Sequence, residues 1–175
     1  RRSGCRLLSF GIETTSADSL RGVNKAWNRP DRYAEAVRTI RAHGIDVSTE
    51  MIIGFDGDDE TVFENTLRFI LDNEISVPRV HILTPVPGTP IYEELRRDGR
   101  ILHDEFGRYT GGTVVFRPRH FEPAQLEKGY WNMYRKILSW SGIAQRLHRN
   151  PAGLGPRMRA FVTGVNLHYR DHLRR

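Results

Sequence analysis

This sequence contains little cysteine and no long apolar run, and its first residues show no signal-peptide pattern. Its 175 residues contain a single cysteine, Cys5, so no disulfide can form within the chain. No apolar run approaches the roughly 18 residues that a membrane span needs. The start of the chain also lacks the apolar stretch of a signal peptide. A lone thiol fits a reducing compartment, and we therefore expect a cytoplasmic protein without a transmembrane segment.

Acidic residues are nearly absent from the end of the chain. Residues 140–175 contain seven arginines and one acid, Asp171, whereas residues 1–139 contain 20 basic and 20 acidic residues. The net charge of +6 therefore comes from a C-terminal appendage. This appendage could bind a nucleic acid, or it could be a solvated helix. Because it shows no basic stripe interleaved with aromatic residues, we favour the solvated helix and expect no nucleic-acid partner.

Three short segments each begin as an apolar run and end in glycine, proline and polar residues: 10–16, 52–60 and 82–90. Each is followed by a stretch with helical periodicity. The pattern predicts parallel strands over 7–11, 45–53 and 78–83, with helices over 17–23, from 30 to 44, from 58 or 59 to 73, and from 89 or 90 to 99. Ligands bind at the carboxyl ends of such strands, where these polar residues lie.

Beyond Gly99 the pattern changes. We predict an irregular loop with a short strand over 113–116, one long helix over 122–140, a breaker-rich linker over 150–156 and a last helix over 158–173. The sequence opens on two arginines without a methionine, and three parallel strands alone would leave unpaired sheet edges. We therefore expect a piece of a longer protein, although processing could also remove a methionine.

Several residues at the predicted strand ends could bind a ligand. Glu13 could accept two hydrogen bonds from hydroxyl groups, as ribose recognition requires, or it could cap the following loop. Gly54 would let a flat ligand approach the backbone of residues 52–55, although a plain strand-end turn needs the same glycine. The proline-rich stretch 84–90 is either a stiff ligand surface or a rigid connector.

Charged residues near these ends leave further alternatives. Lys25 and Arg29 could pair with an anionic ligand group or be ordinary exposed cations. The acidic run 56–60 could be a cation loop, but its spacing favours a helix N-terminus. His168 and His172 lie four residues apart, and without a third ligand we favour surface histidines over a metal site.

Together and in this order, the segments resemble the radical S-adenosylmethionine superfamily, and most of all its cobalamin-binding subgroup. The resemblance covers about residues 7–140. It is carried by GIETTS at 11–16, IIGFDG at 52–57 and LTPVPGTP at 83–90, with further matches at Leu20, Lys25, Asn28 and Arg29 and over 115–131.

The resemblance implies a (β/α)6 partial barrel of which this chain is the fourth to sixth units. In such enzymes a CxxxCxxC loop holds a 4Fe-4S cluster that cleaves S-adenosylmethionine to a 5′-deoxyadenosyl radical. Cys5 matches none of these cysteines, so the cluster ligands and any cobalamin domain are expected in a missing N-terminal half.

Carried over to this sequence, the resemblance also implies a binding site for S-adenosylmethionine. Glu13 would bind the ribose or amino group, and Ile52, Ile53, Gly54 and Phe55 would lie against the adenine. Lys25 or Arg29 would contact the methionine carboxylate, and Thr84 and Pro85 would line the far wall.

We therefore interpret the chain as part of a radical enzyme, a cobalamin-dependent methyltransferase or a related one, acting on a small molecule or lipid that the sequence does not identify. Residues 1–105 would be half of the barrel, 106–150 a family-type segment that helps to select substrate, and 151–175 a basic helical tail. We expect the separate chain to be inactive. The alternatives are a truncated remnant without function and a nucleic-acid-binding module that uses the arginine-rich tail.

Overall fold

A computed structural model of the chain describes residues 2–22, 28–149 and 151–173. Three parallel strands form one sheet in the order β1 (Leu7–Glu13), β2 (Asp46–Ile53) and β3 (Val77–Ile82). β1 runs two residues beyond its predicted end, through a bulge: Gly11 pairs with Glu50 and Glu13 pairs with Met51. The bulge inserts Ile12 as an extra residue in β1.

Helices follow each strand, as the periodicity predicts. They are α1 (Ala17–Gly22), α2 (Tyr33–Ala42) after a 3-10 turn (Pro30–Arg32), α3 (Thr61–Asp72) and α4 (Pro90–Arg97). α4 begins at a proline, and the Thr89 hydroxyl caps it by accepting a hydrogen bond from the Tyr92 N–H at 3.4 Å. The alternation of parallel strands with helices confirms the predicted α/β fold of a partial barrel with a helical C-terminal part.

The core lies on one face of the sheet. Val47, Met51 and Ile53 of β2 are at most 1% exposed and share one hydrophobic cluster with residues of α2, α3 and α5. The amino-terminal half of the other face is covered differently, because Val77 and Leu7 pack against Val162 in the last helix. The carboxyl-terminal half of this second face carries polar side chains that remain partly exposed.

Two predictions for the C-terminal part are wrong. The strand predicted over 113–116 is reduced to one antiparallel bridge, between Ile101 and Phe116. The long helix predicted over 122–140 ends early and is followed by a second one: α5 (Pro123–Ile137) and α6 (Trp140–Leu147), with α7 (Pro156–His172) after them. Ser139 breaks the helix because its hydroxyl accepts the Gly142 N–H at 3.0 Å and starts α6.

Two arginines of the C-terminal appendage, Arg146 and Arg170, make contacts inside the molecule, whereas Arg149, Arg157 and Arg159 are exposed. Arg146 is fully buried and donates hydrogen bonds to the carbonyls of Ile75, Ser76 and Ile137 and to the Asn166 side chain. Burial lowers its pKa to about 10. Arg149 pairs with Glu74, and Arg170 lies over the Trp140 ring with its Cζ atom 4.5 Å from the ring centroid. These contacts give Arg146 and Arg170 a structural role.

Membrane association through a spanning helix finds no support in the described part of the chain. None of its helices combines the length with the apolar character that crossing a bilayer requires.

Candidate functional site

Glu13 is held at the carboxyl end of β1 in an unusual conformation. Its φ angle is 68°, in the left-handed region that costs a non-glycine residue roughly 1–2 kcal/mol. A Cβ atom on Gly11 would lie 2.8 Å from the Glu13 Oε1 atom, so the carboxylate folds back over the Gly11 backbone. Bulges re-aim side chains and are frequent beside active sites. The structure thus places Glu13, with its strained backbone, where the sequence predicts a ligand-binding group.

Tyr33 shares the environment of Glu13. Its hydroxyl donates a hydrogen bond to the carbonyl of Ile12, the inserted residue of the bulge, at 3.0 Å. Burial, with a smaller contribution from the negative charge of Glu13, raises the pKa of Tyr33 to about 12. Tyr33 therefore stays a neutral donor that supports the bulge.

Gly54 ends β2 and is required by the packing of the protein itself. Its φ angle is 98°, and a Cβ atom there would lie 2.9 Å from Cδ2 of Leu126 and 3.6 Å from Cζ of Phe116. Ile53 and Phe55, on either side, are buried in the core. Of the predicted adenine-contacting stretch, Ile52 is the residue whose side chain lies on the second, partly open face and is only partly buried.

The acidic run after β2 is divided between two structural roles. The buried Asp58 carboxylate accepts the N–H groups of Gly54 at 2.8 Å and Phe55 at 3.0 Å, together with the Ser19 hydroxyl. Burial raises its pKa despite these bonds. Asp59 accepts the Thr61 N–H at 2.9 Å, at the residue where α3 begins.

Asp56 points the other way and pairs with two arginines. Arg100 Nη2 lies 2.6 Å and Arg119 Nε lies 2.8 Å from its carboxylate oxygens. The hydrogen bond from Arg100, followed by that from Arg119, lowers the pKa of Asp56. The loop after β2 is thereby tied to the segments on both sides of the Ile101–Phe116 bridge.

The other predicted contacts with S-adenosylmethionine are less prominent. The Thr84 hydroxyl donates to the Ile82 carbonyl at 3.0 Å, and Pro85 is buried. Arg29 makes a bidentate ion pair with Asp31, at 3.2 and 3.1 Å, on the exposed surface before α2. Lys25 lies outside the described residues.

A row of polar side chains on the second sheet face was not recognised from the sequence. Glu50 of β2 forms an ion pair with its register neighbour Arg79 of β3, and His81 Nε2 lies 3.5 Å from Glu50 Oε2. Arg79 also donates to the Ser9 hydroxyl at 3.1 Å. Gly11 pairs with Glu50, so the Glu13 carboxylate lies beside this row. The signal was available in β3, because Arg79 and His81 occur at alternate positions of an otherwise apolar strand.

The fold places the only cysteine at the wrong end for a metal cluster at this site. Cys5 precedes β1 and donates through its thiol to the Leu7 carbonyl at 3.6 Å. Glu13 lies six residues beyond Leu7, about 20 Å along an extended strand at roughly 3.3 Å per residue. Within the described ranges no group of three or more histidine, cysteine or acidic side chains could hold a metal ion. His168 and His172 are both exposed. The residues present therefore do not fit a 4Fe-4S cluster, whereas the strand ends do offer hydrogen-bonding groups for a nucleoside.

Comparison with known proteins adds the family. No model of a known protein family matches the chain. The chain is 34% identical over 150 residues to bacteriochlorophyllide d C-12(1)-methyltransferase of Chlorobaculum tepidum, covering 86% of this chain and 32% of that enzyme. It is 25% identical over 153 residues to the C-8(2)-methyltransferase of the same organism, covering 87% and 34%. It is 35% identical over 95 residues to the hopanoid C-2 methylase of Rhodopseudomonas palustris, covering 54% and 18%.

The parallel sheet with polar groups at its carboxyl ends defines an α/β protein of the barrel type with a candidate ligand site at the strand ends. The relatives are members of the radical S-adenosylmethionine superfamily, and the chain belongs to that superfamily. It spans about a third of the length of the first two curated relatives.

Proposed function

We propose that the chain supplies the fourth to sixth βα units of a radical S-adenosylmethionine methyltransferase. In this proposal the Glu13 carboxylate accepts hydrogen bonds from the ribose hydroxyls or the amino group of S-adenosylmethionine. The observation that carries the proposal is the strained Glu13 at the bulge of β1, because a left-handed glutamate at a strand end has to be stabilised by its surroundings. Bound S-adenosylmethionine supplies the radical precursor, and the residues of this chain bind and orient it.

The names of the relatives support transfer of a methyl group. Two are methyltransferases for bacteriochlorophyllides, and a third is a methylase for a hopanoid. We accordingly propose a small-molecule or lipid substrate. Dependence on cobalamin is the finer part of the proposal, and its support is the resemblance of the motifs to the cobalamin-binding subgroup.

The cluster must be held outside this sequence. Since a single thiol cannot replace the three that the superfamily uses, we propose that its ligands belong to a further part of the polypeptide. The 175-residue chain alone is then expected to be inactive.

A chimera tests the proposal. The chain replaces the matching 150-residue region of the Chlorobaculum tepidum C-12(1)-methyltransferase. S-adenosylmethionine is titrated anaerobically into three forms: the chimera, its Glu13→Gln variant and its Glu35→Gln variant. Glu35 is a matched control because it is an exposed acid on α2.

Loss of a charge-assisted hydrogen bond worth about 1.5–3 kcal/mol weakens binding roughly 10- to 150-fold. We expect this loss for Glu13→Gln, with an unchanged melting temperature, and no loss for Glu35→Gln. Unchanged affinity together with lower stability would make Glu13 a structural cap. A folded chimera that binds no S-adenosylmethionine, while the unmodified enzyme does, would instead favour the truncated remnant.

A further inference from the structure

A groove on the C-terminal part of the chain is not used by the proposed function. It is an open cavity of about 480 Å³ between α5 and the segment around residues 102–114. Its apolar walls include Leu102, Val114 and Trp131, and its rim carries Arg108, Lys128 and Arg135. The volume falls within the range of about 300–1,000 Å³ that small-molecule sites occupy.

A second face of the helix α5 lines this groove. Leu126, Tyr130, Met133 and Ile137 form its buried face, at intervals of four, three and four residues. Lys128, Trp131 and Arg135 are spaced three and four residues apart, so they lie in a line on a neighbouring face. Along this face of α5, the Trp131 ring is therefore flanked by two cations.

Two contacts hold Trp131 in place. Its ring packs edge-on against Tyr130, with the ring centroids 4.8 Å apart. The backbone of Gly112 also lies so close to the ring that a Cβ atom there would lie 3.1 Å from Cζ2 of Trp131. An aromatic wall that is already fixed loses little conformational entropy when a flat ligand packs on it.

The charge of the groove is positive. Glu127 is the one acid among the lining residues, and its carboxylate already accepts the Val114 N–H at 3.1 Å. Arg135 donates to the neutral Asn132 side chain, and Arg108 lies 4.0 Å from the exposed Glu105. Apolar walls below a cationic rim are complementary to a ligand with a flat apolar body and an acidic group.

The groove is also close to the sheet. Gly111 accepts the Ile82 N–H at 2.7 Å, and a Cβ atom on Gly111 would lie 2.9 Å from Nδ1 of His81. The adjacent glycines 111 and 112 therefore contact His81 of the polar row and Trp131 of the groove, respectively. A ligand in the groove lies next to the carboxyl end of β3.

We propose that this groove binds a planar, polycyclic carboxylate, with the ring system against Trp131 and the acidic group at Lys128 and Arg135. The assignment of this ligand as the methyl acceptor rests on the proposed function. The binding of the ligand in the groove does not. The proposal thus assigns the class of substrate through the chemistry of the groove.

The test compares two probes that differ in one group. 1-Pyrenebutyrate and its neutral analogue 1-pyrenebutanol are measured by equilibrium dialysis against the 175-residue chain, whose folding is followed by circular dichroism. Three variants are compared with it: Lys128→Gln/Arg135→Gln, Trp131→Leu, and Lys136→Gln/Arg157→Gln. The last variant also removes one lysine charge and one arginine charge, but at exposed positions outside the groove.

In the unmodified chain we expect the butyrate to bind more tightly than the butanol. The Lys128→Gln/Arg135→Gln variant should weaken butyrate binding about three- to tenfold and leave butanol binding unchanged. Trp131→Leu should weaken both probes, and the Lys136→Gln/Arg157→Gln variant should weaken neither.

Equal affinity of the two probes for the folded, unmodified chain would overturn the proposal, and so would equal losses in the two charge variants. S-adenosylmethionine binding does not enter this measurement. The groove and the Glu13 site can therefore fail independently.

Discussion

Replacing Gly54 by alanine tests whether this glycine serves the packing of the protein. Two costs follow from the structure. The φ angle of 98° is unfavourable for alanine by about 1–2 kcal/mol, and the new Cβ atom lies 2.9 Å from Leu126 Cδ2. Overpacking of this kind costs about 1–3 kcal/mol. We expect Gly54→Ala to lower the free energy of unfolding by about 2–5 kcal/mol in total.

A double-mutant cycle separates these two costs. Leu126→Ala removes a side chain that is 0% exposed and should itself cost about 2–5 kcal/mol. In the Gly54→Ala/Leu126→Ala variant the close contact is gone but the backbone strain remains. The double variant should therefore be more stable than the sum of the single effects predicts, by about 1–3 kcal/mol.

The assay is urea unfolding followed by circular dichroism, with the slope of each transition checked for equality. Gly164→Ala is the control, because Gly164 lies within α7 with open space around it. Alanine there should raise stability by about 0.5–1 kcal/mol. Additive effects of Gly54→Ala and Leu126→Ala, within about 0.5 kcal/mol, would refute the argument that Leu126 occupies the space beside Gly54.

Further predictions concern buried and paired charges. The lowered pKa of Asp56 means that its carboxylate stabilises the fold above the unfolded value of 3.8, so Asp56→Asn should be destabilising at pH 7 and lose this effect as the pH falls through the folded pKa. The raised pKa of Asp58 has the opposite effect on the pH dependence of stability. The stability of the unmodified chain relative to Asp58→Asn should therefore decrease as the pH rises above 3.8. Urea unfolding at pH 3 to 7 measures the free energy of unfolding of the unmodified chain and of both variants. If the difference from the unmodified chain changed with pH in the same direction for both variants, the two assignments would be contradicted. Arg146→Met should cost about 3–5 kcal/mol by leaving buried acceptors without donors, whereas the exposed control Arg157→Met should cost less than about 0.5 kcal/mol in the same assay.

The order of strands and helices could be predicted because each element depends on residues that are close together in the sequence. Apolar runs that end in glycine or proline specify strands, and apolar positions three or four residues apart specify helices, so β1 to β3 and α1 to α4 were predicted with small errors at their ends. The motifs at the strand ends likewise indicated the superfamily, which the relatives confirm. The split between α5 and α6 was missed, since Ser139 interrupts a pattern that is otherwise continuously helical. The division into residues 1–105, 106–150 and 151–175 stays a prediction.

Distant contacts could not be read from the sequence. Asp56 meets Arg100 and Arg119 across 44 and 63 positions, and Arg146 meets the Ile75 carbonyl across 71. An arginine in a basic tail carries no local sign that it will be buried, because its partners are backbone carbonyls that every residue has. The sequence alone therefore determined the α/β units and the placing of Glu13 at a strand end. Only the tertiary structure decided that Glu13 folds back over Gly11 and that Gly54 makes room for Leu126, because both depend on how separate segments pack together.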